Sequence, residues 1–142
     1  MAAGEAFSAE QRARIDHAVG AAESATGLRF ALRVGELDPE PRLQGERLLA
    51  HIAVGPREGV VVVLVSPGDR RVEIVSTPAA RRRIPDHAAG LAILSMTSSF
   101  SVGDLVGGIV TGMRQLADVA GPPALSEVSA PGAIEGEVLP QP

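Results

Sequence analysis

The stretch Gly59-Val60-Val61-Val62-Val63-Leu64-Val65-Ser66-Pro67-Gly68-Asp69-Arg70-Arg71-Val72-Glu73-Ile74-Val75 decides the fold. Residues 60–65 form a continuous apolar run, the mark of a central strand covered on both faces. Ser66-Pro67-Gly68-Asp69 is turn chemistry: proline and glycine set the backbone and Asp bonds locally. Val72-Glu73-Ile74-Val75 then returns as a second strand, so the two runs form an antiparallel hairpin.

N-terminal to the hairpin, Leu28-Arg29-Phe30-Ala31-Leu32-Arg33-Val34 alternates. Leu28, Phe30, Leu32 and Val34 face one way and Arg29 and Arg33 the other, as in a half-covered strand. A helix precedes it. Ser8 is an N-cap with Gln11 three residues on, a capping box. Ile15, Val19 and Ala22 share a face, and Gly27 supplies the stop. Between this strand and the hairpin, Pro41 starts a helix with a ragged apolar stripe of Leu43, Leu48, Leu49 and Ile52, ended by Gly55-Pro56. A helical link between two strands makes them parallel, with a right-handed crossover.

C-terminal to the hairpin, Thr77-Pro78 opens a short helical turn that runs through Arg83 and is broken by Pro85. Asp86 is expected to cap a helix carrying Ala88, Leu91, Ala92, Leu94 and Ser95. A last helix is expected from about Val102 to Ala120, with Leu105, Ile109, Met113 and Leu116 on one stripe. The order is helix, strand, helix, strand, strand, helix, helix. It predicts an α/β fold in which a small mixed sheet is sandwiched by helices. The expected organisation is a flexible N-terminus (1–7), a folded body (8–120) and a flexible, Pro/Gly-rich tail (121–142) with Glu127, Glu135 and Glu137 and no basic residue.

The chain of 142 residues suits one domain, and 45% hydrophobic with 21% charged residues is ordinary for a globular protein. With no Cys there are no disulfides, thiolate metal sites or cysteine nucleophiles. All 13 basic residues are Arg, so Schiff-base chemistry and a Walker-type loop are excluded. A net charge of −4 with no Trp or Tyr argues against nucleic-acid binding. No apolar run reaches the roughly 18 residues of a membrane span, and no secretory signal opens the chain. A cytoplasmic protein is expected, without direct membrane insertion.

Four glycines of the last helix, Gly103, Gly107, Gly108 and Gly112, each cost roughly 1 kcal/mol against Ala, which close packing on a neighbour would offset. Arg81-Arg82-Arg83 is the densest charge. It could hold a phosphate or carboxylate of a partner, or form a solvated face pairing with Glu73 or Asp86. His17, His51 and His87 have no helical metal pairing, and no Gly-x-Ser-x-Gly elbow is present. The hairpin topology puts Glu58 near Ser76 and Thr77. With Asp86 and Asp104 opening helices, the three carboxylates can meet at one edge, where they would suit a hard cation such as calcium. Asp86 and Asp104 acting as plain N-caps is the alternative.

The hairpin, Ile84-Pro85-Asp86, and Phe100-Ser101-Val102-Gly103-Asp104 followed by Gly107-Gly108 resemble the signature segments of the TPM-domain family. The nearest pattern is an actinobacterial branch described as a domain of unknown function. The resemblance spans residues 8–120 and implies an α/β sandwich. It also implies calcium binding by acidic residues at this edge in some members, weak acid phosphatase activity in some, and assistance to membrane complexes in others. Asp86 and Asp104 match metal-ligand positions, and Glu58 stands where the family has Asn or Asp before Gly. Departures are Ser76-Thr77-Pro78-Ala79-Ala80-Arg81 in place of a Gly-Tyr-Gly segment, and Leu105 in place of an aromatic. The expected function is a non-enzymatic accessory domain that binds a protein partner or a divalent cation at the edge of Glu58, Arg81, Arg82, Arg83, Asp86 and Asp104. The alternative is a metal-assisted acid phosphatase at the same edge. An oligomer built through the Arg29/Arg33 strand edge or the glycine-rich helix is a third reading.

Overall fold

The computed structural model describes residues 7–123 except Val54 and Pro56. The elements are α1 (Ala9–Thr26), β1 (Arg29–Val34), α2 (Pro41–Ile52), β2 (Val60–Ser66), β3 (Arg71–Ser76), α3 (Pro78–Arg81), α4 (Asp86–Ser101) and α5 (Leu105–Ala120). The sheet order is β1-β2-β3. β1 runs parallel to β2 from Arg29 opposite Val60 to Val34 opposite Val65. β3 is antiparallel, with Val61 opposite Ser76 and Ser66 opposite Arg71. The expected mixed sheet with helices on both faces is what forms.

The central strand explains the layering. Every residue of β2 is buried. Val61, Val63 and Val65 join Phe30, Val72 and Ile74 in the main core, roofed by α1, α4 and α5. The alternate face, with Leu64 and Val75, is covered by α2. Such a strand is apolar throughout because neither face meets water.

The capping box at Ser8 and Gln11 is present, and Gly27 ends α1 in the left-handed conformation at φ 76°. Four details differ from the sequence expectation. Pro85, not Asp86, is the N-cap of α4, and Asp86 lies in the first turn without a capping hydrogen bond. There its charge favours the positive helix end instead. The last helix starts at Leu105, because Gly103 at φ 87° makes a left-handed turn that a helix cannot include. Helix α2 ends at Ile52 and buries Pro41 and Gly45 rather than its leucines. A Cβ at Gly45 would stand 2.7 Å from Val75 Cγ2, so the helix backbone itself lies on the sheet. Leu43 is exposed.

The glycines of α5 divide by role. Added Cβ atoms at Gly108 and Gly112 would stand 2.8 Å from Ser99 Cβ and 2.5 Å from Met96 Cγ, so these two let α5 close on α4. That packing occupies the face of α5 that carries Gly108 and Gly112. Gly107 instead makes room for the Asp104 carboxylate. The flexible termini expected at 1–7 and 121–142 fall mostly outside the described residues. Within them, Phe7 packs on the core, and Gly121 O accepts from Arg83 Nη2 at 2.8 Å.

Candidate functional site

The end of the sheet where β2 begins and β3 finishes is tied together by one hydroxyl. Thr77 caps α3. Its Oγ1 donates to Glu58 O at 2.7 Å and accepts from Val60 N at 3.1 Å. Glu58 therefore does lie beside Thr77, as the hairpin topology requires. Its carboxylate meets Arg29 Nη1 at 3.3 Å, and the same guanidinium reaches Ile52 O at the end of α2. This pair joins the start of β1 to the start of β2.

The three arginines part company. Arg81 donates through Nη1 to Ser76 O, and Arg83 donates to Gly121 O. Both guanidiniums thus serve main-chain carbonyls. Arg82 is exposed, and among the described residues its side chain has no partner. The expected pairing of this run with Glu73 or Asp86 is absent from the ion pairs among the described residues. Glu73 pairs with Arg42 of α2 at 3.3 Å. Asp86 and His87 are exposed.

Asp104 is elsewhere. It is the N-cap of α5, and its Oδ1 accepts from Gly107 N at 3.0 Å. Asp86 starts α4 and Asp104 follows its end. A helix of 16 residues is about 24 Å long. Asp86 and Asp104 therefore stand at opposite ends of α4. An antiparallel neighbour places the start of α5 beside the end of α4, not beside its start. Among the described residues, no group of three or more His, Asp and Glu side chains is gathered so as to hold a metal ion.

A groove of about 430 Å³ lies next to this end, between α2 and the finish of β3, lined by Arg42, Leu49, Val75, Ser76, Thr77 and Arg81. It was not foreseen from the sequence. The two elements are brought together where Gly45, lacking a side chain, lets α2 approach Val75 of β3. No described helix is long and apolar enough to cross a membrane.

This fold and surface define a small α/β domain with a polar sheet end. A family model described as a domain of unknown function (DUF5130) matches residues 2–117, and the chain belongs to that family. It is similar to two uncharacterised proteins from two strains of Mycobacterium tuberculosis, MT2543 and Rv2468c. Each is 28% identical over 102 residues, covering 72% of this chain. The match spans 60% of the length of those relatives. Among solved structures, the BA42 protein of the psychrophilic bacterium Bizionia argentinensis matches with a TM-score of 0.66 and 18% identity, over 82% of this chain and 84% of that one. The N-terminal domain of a P. gingivalis protein matches at 0.68 and 18%, over 80% and 75%. The N-terminal domain of the Corynebacterium glutamicum protein cg2496 matches at 0.64 and 14%, over 80% and 74%. At these identities the likeness concerns the fold.

Proposed function

We propose that the chain is a TPM-like, non-catalytic accessory domain of the cytoplasm, which docks a protein partner through Arg82, Asp86 and His87. One observation carries this reading. The polar side chains able to build a reaction site here, Thr77, Arg81 and Arg83, are committed to main-chain groups, whereas Arg82 and Asp86 stand in solvent. An exposed guanidinium is suited to a bidentate contact with a partner's carboxylate. The same reading takes the resemblance of the hairpin and of Ile84-Pro85-Asp86 to the TPM family as support for an accessory role. The metal-assisted phosphatase reading needs Asp86 and Asp104 on one cation, and their separation along α4 removes its support.

The test is site-specific photo-crosslinking in the native cell. A photo-reactive residue at position 82 or 86 is expected to give one discrete adduct, lost when position 86 carries the probe and Arg82→Glu is added. The same probe at Arg70, in the turn at the far end of β3, is expected to give none. No adduct from 82 or 86, or the same adduct from all three positions, contradicts the reading.

A further inference from the structure

One edge of the sheet is β1. Arg29 N donates to Gly59 O and Gly35 N to Val65 O, each at 2.9 Å. Main-chain groups of odd-numbered residues therefore point at β2, and those of Phe30, Leu32 and Val34 point away from it. The Phe30 N–H is met by Glu23 Oε2 at 3.0 Å. The N–H groups of Leu32 and Val34 have no partner among the described residues. Beside them runs a groove of about 470 Å³ whose apolar lining includes Phe7, Ile15, Val19, Leu32 and Val34. An open edge with an apolar groove is a template for an added strand.

Charge restricts the occupant. Arg29 and Arg33 share the face of β1 turned from α1, and Arg33 is exposed with no partner among the described residues. Two copies of β1 side by side would gather four arginines on that face, which disfavours a second copy. A strand alternating apolar and acidic residues suits it, because unlike charges on neighbouring strands attract. This chain carries one. Ile134-Glu135-Gly136-Glu137-Val138-Leu139 is bounded by Pro131-Gly132 and Pro140 and matches β1 in length. Ile134, Gly136 and Val138 fall on one side, and Glu135 and Glu137 on the other. Its attachment point is in reach. A Cβ at Gly27 would stand 3.0 Å from Pro123 Cγ, so residue 123 lies against the turn leading into β1. The ten residues 124–133 span up to about 33 Å, and a six-residue strand about 20 Å.

We propose that residues 134–139 add to β1 as a fourth strand within the same chain, closing the sheet edge and covering the groove. The test is amide hydrogen exchange on the full chain, read residue by residue. Leu32 and Val34 are expected to exchange on the order of tenfold or more slowly than in the variant Glu135→Arg/Gly136→Pro/Glu137→Arg. Val62 and Leu64 of β2 should be equally protected in both, reporting an intact body. Equal exchange of Leu32 and Val34 in the two chains overturns the proposal, whether fast or slow. Protection that vanishes on dilution also overturns it, since the added strand would then come from another molecule.

Discussion

Helices α5 and α2 both meet their neighbours through glycine, yet they hold the molecule in different ways. α5 buries Val106, Ile109, Met113 and Leu116 along one stripe, with Gly108 and Gly112 on the side that meets α4. α2 buries only Pro41 and Gly45, and its leucines lie at the margin or in solvent. α5 is fixed by apolar area, and α2 by the close approach of its backbone to Val75. Removing bulk should therefore hurt α5, whereas adding bulk should hurt both.

The largest effect separates them by truncation. Leu116→Ala, at a position with no solvent exposure, is expected to cost about 2–5 kcal/mol in denaturant unfolding. Leu43→Ala in α2, where the side chain is 39% exposed, should stay within about 1 kcal/mol. Comparable losses at the two positions would break the contrast.

The next effect tests the shared device. Gly108→Ala puts a methyl 2.8 Å from Ser99 Cβ and 3.2 Å from Met96 O, neither of which can swing away. Overpacking of this kind costs about 1–3 kcal/mol. Gly45→Ala meets Val75 Cγ2 at 2.7 Å and should fall at the lower end of that range. A gain in stability at either glycine, the outcome of helix propensity alone, would show that close approach is not what keeps it.

The smallest effect lies at the helix starts. Asp104 accepts from Gly107 N, whereas Glu40 at the start of α2 makes no capping bond. Asp104→Ala should cost about 1 kcal/mol and Glu40→Ala close to nothing, read as midpoint shifts in thermal unfolding.

The same comparison explains what could be read from the sequence. The unbroken run from Val60 to Val65, the turn after it and the alternation from Leu28 to Val34 specified the sheet, because period and burial coincide there. The stripe of α5 was legible for the same reason. In α2 the buried position is Gly45, and a glycine carries no hydrophobic signal, so the leucines misdirected the expected face. Asp86 and Asp104 were each correctly placed near a helix start. Their separation was already implied by the helix between them, whose 16 residues hold its two ends about 24 Å apart. The commitments of Arg81 to Ser76 O and Arg83 to Gly121 O involve main-chain acceptors, which no side-chain pattern announces.

Asp86 and Asp104 stand apart, one as an exposed surface group and one as a helix cap. Thermal unfolding of the full chain with and without millimolar calcium, repeated on Asp86→Ala and Asp104→Ala, tests this separation of roles most directly. One midpoint is expected for the parent with and without calcium. A lower midpoint is expected for Asp104→Ala, by the same few degrees in both conditions. A ligand at 100 times its dissociation constant adds about 2.7 kcal/mol, so a shared site would raise the parent midpoint by several degrees. Such a rise, abolished by either substitution, would contradict the separation of roles.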